Sequence, residues 1–217
     1  MASNGATRHI TGTALGSFLR FTGAACHSFA AIVREPGFPV LAEALQASRT
    51  WKQFFGQANL SAPLDTLETA LERLMDDGDF RREALEEYNE LFHAPDLITP
   101  LWESVWLSKE KLLFTEETFA VRDWYARFGW EIHRAGFEAE DHIGLETAFC
   151  GWLYDLDARA QAGDSLNEPQ LRTFLREHYS LWAPCCFTAL RQAARTPFWT
   201  SLLTAAEQLA EALAEIK

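Results

Sequence analysis

EYNELF (Glu87 to Phe92), PLWESVWLSKEKLLF (Pro100 to Phe114) and AEDHIG (Ala139 to Gly144) are the three pieces of one stretch whose reading decides the fold. Each sits at the edge of a helical pattern. Leu85, Tyr88, Leu91 and Phe92 recur at the three- and four-residue spacing of one helix face. Trp102 and Trp106 stand four apart, behind a Thr99-Pro100 pair that reads as an N-cap with proline at the first helical position. Asp141, with His142 beside it, reads as the N-cap of a strong helix. That helix carries Leu145, Phe149, Trp152, Leu153 and Leu156 on one buried face.

The same periodicity continues outward in both directions. Leu15, Leu19, Phe29 and Ile32 form a loose helical pattern that stops at Pro36-Gly37. Val40, Leu41, Ala44, Leu45, Trp51, Phe54 and Phe55 make a second amphipathic segment. Ser61 reads as the cap of a third, with Leu64, Leu67, Leu71 and Leu74 on one face, and Asp79 as the cap of a fourth. Beyond Phe114, a helix opening at Thr115 or Glu116 carries Phe119, Trp124, Tyr125 and Phe128 and ends at Gly129. Gly163-Asp164-Ser165 is a break, and Asn167 to Gln170 has the form of a capping box. Pro184 reads as an interruption. Thr196-Pro197 opens a last helix with Trp199, Leu202, Leu203, Ala206, Leu209 and Leu213 in one stripe. The chain has 28 leucines against 4 valines and 6 isoleucines, a bias toward helix over strand. These readings predict an all-α protein: a single helical bundle of about ten helices. One domain spans residues 1–217, with a hinge near 131–140.

Composition narrows the function. A chain of 217 residues with 48% hydrophobic and 23% charged residues is globular. Its formal net charge of −12 argues against a nucleic-acid partner, which needs a basic face. The acids concentrate between Pro63 and Asp96, where eleven stand against three arginines. That is a solvated outer face, or a field that draws in a basic peptide. Cys26, Cys150, Cys185 and Cys186 form no CxxC pattern and read as free thiols in a reducing compartment. The N-terminal residues lack the apolar core of a signal peptide, and no run reaches the roughly 18 apolar residues of a membrane span. A cytoplasmic location is expected, with no membrane insertion.

Catalytic and cofactor motifs are missing. Asp141-His142 lacks a third catalytic partner. His133 and His142 are nine apart with no HExxH, and neither Ser104 nor Cys150 has a nucleophile's context. No glycine-rich phosphate loop occurs. What the central stretch offers is a surface. Trp and Tyr are the side chains best suited to anchor a partner, through large apolar area with one polar handle.

The run E-x-Y-x-x-L-F, then P-x-W-E-S-V-W, then E-x-E-D-H-I-G, in that order, resembles the TorD/DmsD family of all-helical chaperones for molybdenum enzymes. So do FLREHYSLW (Phe174 to Trp182) and the later Thr196-Pro-Phe-Trp199. The likeness runs from about Leu85 to the C-terminus, and PLWESVWLSKEKLLF is most similar to the DmsD branch. The resemblance implies a cytoplasmic chaperone without catalysis or a cofactor of its own. Such a protein binds the twin-arginine leader of a molybdopterin enzyme of the dimethyl sulfoxide reductase class until that enzyme's cofactor is loaded. Its partners would be the leader, the catalytic subunit and the twin-arginine translocase, and its state a monomer or a dimer. The peptide-binding residues it implies are Tyr88, Leu91, Phe92, Pro100, Trp102, Ser104, Trp106, Asp141 and His142. Leu101 and Ala139 stand where the family often has proline. Two other readings remain: a NarJ-like chaperone of the mature subunit, and a helical metal-dependent hydrolase using Asp141 and His142.

Overall fold

The computed structural model describes residues 12–55, 60–130, 132, 139–161 and 170–216. Ten α-helices occur among them: α1 (Ala14–Ile32), α2 (Pro39–Phe55), α3 (Ser61–Asp76), α4 (Gly78–Phe92), α5 (Glu103–Leu107), α6 (Glu116–Arg127), α7 (Ile143–Gln161), α8 (Gln170–Glu177), α9 (Ala183–Ala193) and α10 (Pro197–Ala214). A 3₁₀ turn, Tyr179–Leu181, joins α8 to α9. The isolated antiparallel bridge between Trp102 and His142 is the extended pairing among the described residues. The protein is all-α, as the leucine periodicity predicts.

The centre is the pairing of α1 with α7. Residues 143–151 of α7 are buried on every side, as befits a helix wrapped by others. Glycines let the two backbones meet. A Cβ added at Gly144 would lie 2.7 Å from the Gly23 carbonyl oxygen, and one at Gly23 would strike the Gly144 carbonyl in turn. Asp155 locks the far end of this seam. Its carboxylate accepts from the Thr13 amide at 3.1 Å and the Thr13 hydroxyl at 2.6 Å, and it pairs with buried Arg20. Around this pair α2 packs on α1 and α3, and α10 packs on α3 and α9. Buried residues from Ala14 to Leu213 form one contiguous core. Trp51, Trp182 and Trp199 are fully buried within it, each contributing about 1.5–3 kcal/mol by area.

Local chemistry shifted several expected boundaries. Asp77, not Asp79, caps α4, because its Oδ1 reaches the Asp79 and Phe80 amides at 3.1 and 3.0 Å. Ser61 is the first residue of α3, and Leu60 holds the cap position without a side-chain bond. Pro184 opens α9 near its N-terminus rather than interrupting it, since its missing N–H costs nothing in a first turn. Thr99-Pro100 does not start a helix. The chain stays extended to Trp102, held by pairing with the 141–143 segment. Phe54 and Phe119, assigned to apolar faces, are exposed. Among residues 131–140, where a hinge is expected, only 132, 139 and 140 are described. The expected break at 163–165 and the capping box from Asn167 fall outside the described residues, apart from Gln170.

Candidate functional site: the corner between α5 and α7

Residues 101–103 and 141–143 run antiparallel across the entrance to α7. The Ile143 amide donates to the Leu101 carbonyl at 2.7 Å, and the Glu103 amide donates to the Asp141 carbonyl at 3.0 Å. Asp141 turns its side chain the same way. Its Oδ2 accepts from the Ser104 amide at 2.7 Å, so it caps the first turn of α5 from across the gap. The cap of α7 is instead His142. Its carbonyl accepts from the Glu146 amide at 3.0 Å and its Nδ1 from the Gly144 amide at 3.1 Å. A ring nitrogen that accepts carries no proton, so in the neutral ring the proton sits on Nε2. The expectation that Asp141 caps its own helix fails, because pairing with Ser104 satisfies an amide that Trp102 cannot cap.

Aromatic rings finish the corner. The His142 ring lies 5.6 Å from Trp102 and 5.4 Å from His27, both edge-on. Trp106 folds back to donate its Nε1 to the Pro100 carbonyl at 2.9 Å. Pro100 is exposed, Trp102 and Trp106 are half-buried, and Ser104, Asp141 and His142 are covered. Eight buried side-chain polar atoms among the described residues have no hydrogen-bond partner. Three of them, Trp102 Nε1, Ser104 Oγ and Asp141 Oδ1, belong to this one corner. Leaving such a group unmatched costs about 1–3 kcal/mol, so their concentration here marks the place as unusual.

Six of the nine expected residues therefore come together: Pro100, Trp102, Ser104, Trp106, Asp141 and His142. Tyr88, Leu91 and Phe92 do not reach the surface. Tyr88 and Phe92 pack against Trp199 at ring distances of 5.9 and 5.2 Å. Tyr88 is still linked to the corner. Its hydroxyl donates to the His27 carbonyl at 2.8 Å, beside the non-helical Ser28 that kinks α1. Asp141 Oδ2 is already bonded, so an arginine fork onto both oxygens would have to share it with the Ser104 amide.

Beneath the corner lies a polar cluster that the sequence patterns did not single out. Glu103 and Glu146 are both buried. His178 Nδ1 sits 3.1 Å from each Glu103 oxygen, and Trp182 Nε1 donates to Glu146 at 3.3 Å. Burial raises the Glu103 carboxyl, against the pull of His178. Burial, with the charges of Glu103 and Asp141, drives Glu146 well above its ordinary range. Glu146 lacks the His178 contact that works against burial at Glu103. An acid inside the apolar face of α7, at Glu146, was the available signal. Among the described residues no three of His, Cys, Asp and Glu are grouped to hold a metal ion.

Residues 56–188, more than half of the chain, match the family described as nitrate reductase delta subunit, the TorD/NarJ family. The chain belongs to this family. Within the TorD/NarJ family, its curated relatives include the probable Tat proofreading chaperone DmsD of Haemophilus influenzae. The two are 33% identical over 119 residues, which is 54% of this chain and 53% of the relative. The Tat proofreading chaperone DmsD of Salmonella typhi is 31% identical over 118 residues, again 54% and 53% of the two chains. That of Salmonella typhimurium is 36% identical over 73 residues. The matched stretch spans about half the length of the first two relatives. Among the described residues no helix is long and apolar enough to cross a membrane.

Proposed function

We propose that this protein is a cytoplasmic chaperone that binds the twin-arginine leader of a molybdopterin enzyme of the dimethyl sulfoxide reductase class and holds it until the enzyme's cofactor is loaded. The supporting observation is the α5–α7 corner, where six of the residues the family resemblance implies meet around unpartnered polar atoms. Its work is recognition rather than turnover. Pro100, Trp102 and Trp106 supply the accessible apolar contact, each indole face worth about 1.5–3 kcal/mol when covered. Asp141 and His142 hold that face from beneath, one capping α5 and the other α7. A few such contacts, less the cost of ordering the peptide, reach micromolar affinity or better. The net charge of −12 attracts the arginine pair and speeds encounter.

Calorimetric titration of a leader peptide, beside one with the arginine pair changed to alanines, tests the reading. The intact leader binds, binding slows as salt rises through a Debye length of about 8 Å near physiological strength, and the alanine peptide binds more weakly. Equal binding of both peptides at every salt concentration would remove the arginines from the account. A second reading is a NarJ-like chaperone whose ligand is the mature subunit. Comparing the client with and without its leader separates the two.

A further inference from the structure

α5 runs straight into a second, different surface. Between its last residue and the first turn of α6, Leu107, Leu112, Leu113, Phe114 and Phe119 are each between 37% and 60% exposed. Five large apolar side chains in a 13-residue span are a concentration, not the scattered single residues of an ordinary surface. The backbone holds them out. Lys111 and Phe114 have positive φ, 55° and 61°, which a bulky L-residue rarely adopts.

Both ends of this loop are tied to the corner. At one end the Lys111 amide donates to Ser108 Oγ at 3.1 Å, and the Lys111 ammonium donates to the Trp106 carbonyl. At the other, the Arg122 guanidinium lies over the Phe119 ring at 5.0 Å and forks onto Glu140, the residue before Asp141, with both bonds at 2.9 Å. The apolar loop is therefore a continuation of the Trp102–Trp106 face. Its charge differs from that of the rest of the chain. From Leu107 to Arg127, four bases stand against four acids, so the whole −12 lies elsewhere. A surface with no net charge exerts little long-range pull on an arginine pair, and its exposed apolar side chains suit an uncharged apolar segment. The leader has both parts.

Resting on the leader-binding reading above, we propose that the loop from Leu107 to Phe119 receives the apolar run of the leader, while the acidic remainder of the surface draws in its arginines. The two halves of one peptide are thus read by different parts of the surface.

The probe is a synthetic peptide with an arginine pair followed by a roughly 12-residue Leu/Ala run, beside a control in which Ser and Gly replace the run. Leu112→Ser combined with Leu113→Ser should weaken the full peptide about tenfold or more and leave the weaker control unchanged. Phe114→Gly removes a ring and relieves the positive φ together. It should weaken the full peptide severalfold while the melting temperature holds or rises, a pairing that a purely structural role would not produce. If the wild-type protein binds neither peptide, the leader-binding reading fails and takes this inference with it. If the wild type binds but these variants bind the full peptide equally well, only this inference is overturned. It is likewise overturned if the variants weaken both peptides alike, or change only the association state on a sizing column.

Discussion

The α1–α7 seam and the α5–α7 corner share a helix, and they differ in how they treat polar groups. Along the seam the ion pair and its neighbours are matched, although Thr22 Oγ1 of α1 and Glu146 Oε1 of α7 are not. Asp155 satisfies Thr13 and Arg20, and Trp51 Nε1, from α2, donates to Ser17 Oγ of α1 at 2.8 Å. At the corner, Trp102 Nε1, Ser104 Oγ and Asp141 Oδ1 are covered and unmatched. The seam is what holds the fold; the corner leaves bonding capacity unspent, and the proposed recognition role would draw on it.

The largest effect should come from breaking the seam. Asp155→Ala leaves the Arg20 guanidinium buried without its carboxylate and strips the start of α1 of its acceptor. Breaking a buried pair from one side costs about 3–5 kcal/mol, a large share of a domain's stability. Chemical denaturation should show it, with little change in leader affinity for the fraction that remains folded. A loss under about 1 kcal/mol would mean that the seam is as dispensable as a surface pair.

The corner should respond in the reverse sense. Asn at position 141 still offers an oxygen to the Ser104 amide, so Asp141→Asn should leave the melting curve close to wild type. If the carboxylate takes part in recognition, the leader peptide should bind about 1–3 kcal/mol more weakly, the range of a charge-assisted bond. An unchanged titration would reduce Asp141 to a cap and move recognition onto the indoles.

Below the corner, pH supplies a graded probe. Glu146 has its folded carboxyl raised well above 4.5, through burial and then the charges of Glu103 and Asp141. The folded state keeps that proton where the unfolded chain has already lost it. The resulting stability is complete below about 4.5 and drains away as pH rises toward the folded value. Glutamine cannot lose a proton and still offers an oxygen to Trp182 Nε1. Glu146→Gln should match the wild type in acid and exceed it increasingly toward neutral pH, as read by melts across a pH series. A constant offset at all pH values would place the effect in packing rather than ionisation.

The bundle was legible because its causes are local. Leucine spacing, Thr196-Pro197 and the stripe from Trp199 to Leu213 each announce a helix within a few residues of sequence. The corner was legible only in part, because its bonds join residues about forty apart in the chain. Nothing near Asp141 says that its carboxylate caps α5 rather than α7, or that His142 takes the vacated role. Tyr88, Leu91 and Phe92 share a motif with the surface residues, yet the α4–α10 contact draws them inward. There Glu87 accepts the Thr196 amide at 2.8 Å and Trp199 fills the space beside them. Periodicity says which face is apolar, not which apolar face stays open.

The smallest effect sharpens the comparison most. Trp→Phe removes an indole N–H and some ring area, so the same substitution can be made in both regions. At Trp51 it deletes the bond that Ser17 Oγ accepts, leaving that buried hydroxyl only its donation to the Ala14 carbonyl, and it shrinks a core side chain. Those losses should sum to about 2 kcal/mol or more. At Trp102 the N–H has no partner to lose, and the side chain is only half-buried. Removing an unmatched buried donor returns part of what the smaller ring forfeits, so Trp102→Phe should change stability by no more than about 0.5 kcal/mol. Its leader affinity should nonetheless fall, because the indole offers both a face and a donor that phenylalanine lacks in part. Melts and titrations on the two variants separate the cases cleanly. If Trp102→Phe destabilises the protein as much as Trp51→Phe does, its N–H is matched in solution, and the corner is core after all.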